Sequence, residues 1–94
     1  MGRKSKADKA IESVEKGEDR EGVFWVVYDF SESRNPSRFY VNLRTLFERY
    51  EGFFVQLSVV EMKSLKGAKA VRALARSYGA KVLMRKLDPE LYSA

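Results

Sequence analysis

Residues 23–30 read Val-Phe-Trp-Val-Val-Tyr-Asp-Phe, β-branched or aromatic at every position but one. Both faces of such a run are apolar. It therefore predicts a strand inside a sheet that is covered, wholly or nearly so, on both sides. Asp29, at the C-terminal end, is the exception. A chain of 94 residues has room for one domain around that strand. A domain of this size is marginal alone, and dimerisation is a simple remedy.

The segments after it alternate in period. Ser31 to Asn35 is polar and reads as a loop, and Asn35-Pro36 is a good helix start, since Asn caps and Pro is tolerated at the first helical position. Phe39, Leu43, Leu46, Phe47 and Tyr50 then form one helical stripe, with Arg38, Asn42, Thr45 and Arg49 opposite. Gly52 reads as the stop of that helix. From Phe53 to Met62 the chain is strand-like, with Val55, Leu57 and Val59 alternating with Gln56 and Ser58. Ten residues is long for one strand, so a bend or a folded pair is expected. Ser64 caps a second helix with Leu65, Ala68, Val71, Leu74, Ala75 and Tyr78 on its apolar side, and Gly79 ends it. Lys81 to Leu87 is the last strand, with Val82 and Met84 on one face and Leu83, Arg85 and Leu87 on the other; Asp88-Pro89 breaks it. The order is β-α-β-α-β, or βαββαβ if the middle segment folds back on itself. Either way the expected fold is α+β: a two-layer, ferredoxin-like sandwich with helices on one face of an antiparallel sheet.

Residues 1–22 differ in character. They contain no aromatic residue and carry six basic and six acidic side chains. Ala7, Ala10, Ile11 and Val14 recur at helical spacing, but the apolar face is thin. The segment reads as a mobile charged extension, with residues 23–94 as the single domain.

Composition removes several chemistries. There is no cysteine and no histidine, so disulfides, thiolate nucleophiles, cysteine zinc sites and imidazole acid–base catalysis are all excluded. The lack of cysteine fits a cytoplasmic protein. No apolar run approaches a membrane span, and no signal-peptide pattern opens the chain, so no membrane partner is expected. No glycine-rich loop of a phosphate- or dinucleotide-binding type is present, so no small-molecule cofactor is expected.

The net charge is +5, and its placement is uneven. Between Glu61 and Asp88 there is no acidic residue, while Lys63, Lys66, Lys69, Arg72, Arg76, Lys81, Arg85 and Lys86 supply eight cations. On a helix Lys69, Arg72 and Arg76 share one face, and Lys66 extends it by a turn. Like charges at this spacing repel by a few tenths of a kcal/mol per pair, roughly. A polyanion, DNA or RNA, is the simplest compensation. The alternative is a protein-interaction module whose basic face docks on an acidic protein. The expected nucleic-acid-binding residues are Lys63, Lys66, Lys69, Arg72, Arg76, Lys81 and Arg85.

The segment Val26-Val27-Tyr28-Asp29-Phe30-Ser31 resembles the first strand of the small ferredoxin-like CRISPR spacer-acquisition subunit, and Val55-Gln56-Leu57-Ser58-Val59-Val60-Glu61 is similar to that family's Gln-x-Ser-Val-Phe-Glu segment. Val82 to Leu87 stands where its last core strand would be. The resemblance spans about residues 23–87. It implies a homodimer that either holds DNA as a scaffold or acts as a magnesium-dependent endonuclease, with Asp29 as catalytic and metal-binding carboxylate near the two-fold axis. The chain departs from the pattern in having Val60 where the family has Phe, a 22-residue N-terminal extension, and a short, strongly basic helix after the middle segment. Lys63 to Val71 also resembles the basic loop and helix of the archaeal chromatin protein Alba, as does the Asn35-Pro36 helix start.

Four smaller features have plain readings beside these. Asp29 can instead cap the turn after its strand. Glu61 is expected to pair with a neighbouring lysine at the surface. Gly52-Phe53-Phe54-Val55 is similar to the aromatic strand of RNA-recognition motifs, although core packing or a dimer contact accounts for Phe53 and Phe54 more simply. Ser31 and Ser33 have no base nearby in sequence, so no nucleophilic role is expected of them.

Overall fold

A computed structural model of the chain describes residues 4–30 and 37–88. The expectations placed on Ser31, Ser33 and Asn35-Pro36 lie outside the described residues. The elements run α1 (Lys6–Val14), β1 (Glu21–Asp29), α2 (Ser37–Arg49), β2 (Gly52–Gln56), β3 (Val59–Ser64), α3 (Leu65–Ser77) and β4 (Lys81–Leu87). The four strands form one sheet in the order β2-β3-β1-β4, with every pairing antiparallel. From β1 onward this is the βαββαβ arrangement of a two-layer ferredoxin-like sandwich.

The middle segment resolves into a hairpin. Leu57 and Ser58 make its turn, and the register of β2 against β3 shifts between Phe54 and Gln56. The irregularity breaks the expected alternation: Val55 and Leu57 are exposed, while Val60 and Met62 are buried. Gly52 is likewise not a helix stop. It opens β2, and a Cβ there would lie 2.3 Å from Met62 Sδ and 2.9 Å from the Glu61 carbonyl oxygen. The glycine is required by close strand packing, not by the end of α2.

β1 is an inner strand, between β3 and β4. Its inward residues Phe24, Val26 and Tyr28 are buried, but Val23, Trp25 and Val27 on the other face are only half-buried. The expected cover on both sides is thus realised on one side. The helices supply that cover through Phe39, Leu43 and Leu46 of α2 and Ala68, Val71, Leu74 and Ala75 of α3. Burying aliphatic and aromatic side chains of this size is worth roughly 1.5–3 kcal/mol each. Tyr28, Phe30, Phe39 and Tyr78 add a cluster of edge-to-face rings with centroids 4.9–5.9 Å apart. Phe54 contacts Phe47 and Tyr40 on this side of the sheet, although both it and Phe53 remain exposed.

The N-terminal segment departs most from expectation. Residues 6–14 do not stand outside the domain. Ser5 caps α1 through a capping box with Asp8, and Ala7, Ala10 and Val14 belong to the core. The thin apolar face suffices because α1 packs on helices rather than on the sheet, where alanines permit close approach. Its N-terminus is fixed by the Ala7 N–H donating to Asn42 Oδ1 at 3.1 Å.

Candidate nucleic-acid interface

α3 owes its position to both ends. At its start, Ser64 Oγ accepts from the Gly67 N–H at 3.1 Å, the Leu65 N–H donates to the Arg20 carbonyl at 2.9 Å, and the Lys66 N–H donates to Asp19 Oδ1 at 3.0 Å. Three N–H groups that a helix leaves unpaired are thereby satisfied. At its end, Gly79 takes φ +87°, and the N–H groups of Gly79 and Ala80 return to the carbonyls of Arg76 and Ala75. This is the glycine-terminated helix end anticipated for that position.

With the helix so held, the basic run divides between two faces of the molecule. Lys66, Lys69, Arg72 and Arg76 lie on α3, in the helical layer. Lys81 and Arg85 pair in register with Asp29 and Trp25, on the sheet face turned away from the helices. Lys63 shares that face through Glu61: its Nζ lies 3.0 Å from the Glu61 carboxylate and 5.6 Å from the centre of the Phe53 ring. Phe53, Glu61, Trp25 and Arg85 thus form one row across all four strands. Eight consecutive cations in sequence do not make one surface.

Glu61 corrects a second expectation. Its partner is the expected lysine, but the carboxylate is 2% exposed and also accepts from Trp25 Nε1 at 3.1 Å. It is a buried charge held by charge-assisted hydrogen bonds, not a surface pair. Lys66 is also engaged, its Nζ donating to the Glu15 carbonyl at 2.7 Å. On α3 that leaves Lys69, Arg72 and Arg76, which make no ion pair or side-chain hydrogen bond among the described residues.

These three line a cavity of about 310 Å³ between α1 and α3, together with Ser13, Val14, Gly17 and Ala73. A second cavity, about 280 Å³, continues along the same helix pair and is lined by Lys6, Lys9, Ala10, Ser13, Ala73 and Ser77. Ser13 and Ala73 border both, so the two are one seam. Among the described residues five cations line it and no carboxylate does. Lys6 and Lys9 were not among the expected binding residues, because their place against α3 depends on where α1 docks.

Asp29 is exposed at the end of β1, with Lys81 opposite it in the sheet register. Among the described residues no group of three or more Asp or Glu side chains stands close enough to hold a metal ion. The magnesium site that the resemblance implies takes one carboxylate from each of two subunits, so it does not call for such a cluster within one chain. The cavity of about 400 Å³ beside Asp29 is lined otherwise by Val27, Tyr28, Phe30, Tyr40, Leu57 and Ser58. In it the Tyr28 hydroxyl donates to the Leu57 carbonyl at 2.7 Å, and burial holds both the Tyr28 and Tyr40 phenols above their ordinary pKa. Among the described residues no helix is long and apolar enough to cross a membrane. No family model, curated protein or solved structure matches the chain.

Proposed function

We propose that the chain is a nucleic-acid-binding protein whose interface lies on the helical layer. The observation that carries this reading is the grouping of Lys69, Arg72 and Arg76 in one groove that, among the described residues, no acidic side chain lines. Cations left without internal partners on one face are compensated best by a polyanion, and a phosphate backbone supplies regularly spaced charge. Such contacts position the partner and carry little sequence information. The proposal is of binding alone.

The test is a titration of a labelled oligonucleotide at two salt concentrations. Binding should weaken steeply with salt. Arg72→Glu/Arg76→Glu should weaken it by at least about tenfold, since a phosphate that meets no cation keeps its condensed counterions. A wild-type chain that ignores DNA and RNA at low salt, yet binds an acidic polypeptide, would overturn the proposal in favour of an acidic protein partner.

A further inference from the structure

We infer that α1 is half of the binding site: Lys9, with Lys6 behind it, forms the second wall of a track that seats one sugar–phosphate strand along the α1–α3 seam. This rests on the nucleic-acid reading above and adds to it the strand's position and the role of the N-terminal helix.

The geometry is that of an antiparallel helix pair. Lys6 Nζ donates to the Ser77 carbonyl at 2.9 Å at one end, and Lys66 Nζ donates to the Glu15 carbonyl at 2.7 Å at the other. At ~1.5 Å per residue, the stretch of α3 between Lys66 and Ser77 is about 16 Å long. The floor is made of short side chains, Ala10, Ser13, Ala73 and Ser77, so a backbone can approach closely. The two floor hydroxyls are not free donors: Ser13 Oγ donates to the Ala10 carbonyl at 2.7 Å and Ser77 Oγ to the Leu74 carbonyl at 2.6 Å. A hydroxyl has one proton to give, so anion recognition falls to the cations on the rims. α3 provides Lys69, Arg72 and Arg76 towards one end, and α1 provides Lys9 towards the other. Lys6 is partly committed, lying 4.0 Å from the Tyr78 ring centre as well as bonding Ser77. Lys9 makes no ion pair or side-chain hydrogen bond among the described residues.

Packed helix axes lie about 8–10 Å apart. Packing at that distance leaves a shallow surface groove, and its cations come from the two rims of that single seam, so it meets one sugar–phosphate strand at a time. The shared chemistry is the phosphodiester backbone, so DNA and RNA single strands are both ligands and their bases face away from the protein.

The experiment uses the full chain and fluorescence anisotropy with labelled DNA and RNA homopolymer strands and a DNA duplex of equal length. Lys9→Gln should weaken single-strand binding about three- to tenfold and reduce the salt slope by about one. Lys4→Gln is the charge-matched control, because Lys4 is paired with Glu12 and does not line the seam. It should change neither quantity. If Arg72→Gln/Arg76→Gln weakens binding while Lys9→Gln does not, α1 is not a wall of the site, although the nucleic-acid reading stands. If Lys4→Gln weakens binding as much as Lys9→Gln, the effect is one of net charge and the track is refuted. A duplex bound more than about tenfold tighter than either single strand overturns the one-strand seat. Absence of binding by the wild type to all three removes the nucleic-acid reading itself.

Discussion

The Asp19 carboxylate accepts a hydrogen bond from the backbone N–H of Lys66, 47 residues along the chain, at 3.0 Å. Asp19 thereby caps α3 from outside, beside the local cap of Ser64, and its negative charge sits at the positive end of the helix dipole. The same carboxylate accepts from the Arg20 N–H at 2.8 Å, so the connection from α1 to β1 is bolted to the helix it crosses. Asp19→Ala should therefore cost about 1 kcal/mol of stability, comparable with loss of a helix cap. It should also speed hydrogen exchange at the Lys66 amide, whereas Ser64→Ala should speed exchange at Gly67. Equal exchange at Lys66 in wild type and Asp19→Ala would contradict this arrangement.

Gly52 tests the packing of the hairpin. A methyl group at this position meets the Met62 side chain and the Glu61 backbone at sub-contact distances. Met62 can move; the Glu61 carbonyl belongs to the adjacent strand and cannot without disturbing the ladder. Gly52→Ala should destabilise the fold by roughly 1–3 kcal/mol, the usual range for overpacking, read as a lower urea midpoint with an unchanged slope. A glycine needed only to terminate α2 would tolerate alanine at a cost of about 1 kcal/mol or less.

Tyr28 gives the fold an alkaline limit. Burial raises its phenol pKa in the folded chain, with Tyr40 adding in the same direction. The unfolded chain loses this proton near the ordinary value of about 10. Above that pH the unfolded state binds fewer protons than the native state, so stability falls as pH rises. Below it the contribution is fully present. Chemical denaturation at about pH 8 and about pH 11 should show a loss on the alkaline side that is smaller in Tyr28→Phe. At neutral pH that variant should be less stable by about 1 kcal/mol, because the Leu57 carbonyl loses its partner. An alkaline slope identical in both proteins would count against the shift.

What was legible in the sequence was whatever depends on local pattern. The stripe of Phe39, Leu43 and Leu46, the Ser64 cap, the Gly79 stop and the faces of β4 all follow from spacing within one element, and each stands as expected. What was not legible depends on the meeting of distant segments. Ala7, Ala10 and Val14 make a weak apolar face that acquires a role only against α3. Asn42 sat on the polar side of its helix by pattern, yet its side chain bonds the Ala7 N–H, the Arg38 carbonyl and the Tyr78 hydroxyl. Glu61 reads as a surface acid until Trp25 and Lys63 are brought to it by strand register. The basic run was visible as charge, but a helix followed by a strand sends its two halves to opposite faces, and a linear count cannot show that.

That division makes the last prediction. Lys69, Arg72 and Arg76 line the seam, while Lys81 and Arg85 lie on the far face of the sheet. Between them stand a helix about 10–12 Å across and the sheet itself. At ~0.15 M ionic strength charge interactions are screened over ~8 Å. Under those conditions Lys81→Glu/Arg85→Glu should change affinity for a single strand by less than about twofold, while Arg72→Glu/Arg76→Glu, with the same change in net charge, should weaken it by at least about tenfold. At ~0.01 M salt the screening length grows to ~30 Å, and the difference between the two variants should narrow as both act through the field of the whole molecule. Parallel titrations at the two salts read this directly. If the two pairs weaken binding equally at the higher salt, the ligand touches both faces, and the interface is larger than the seam between α1 and α3.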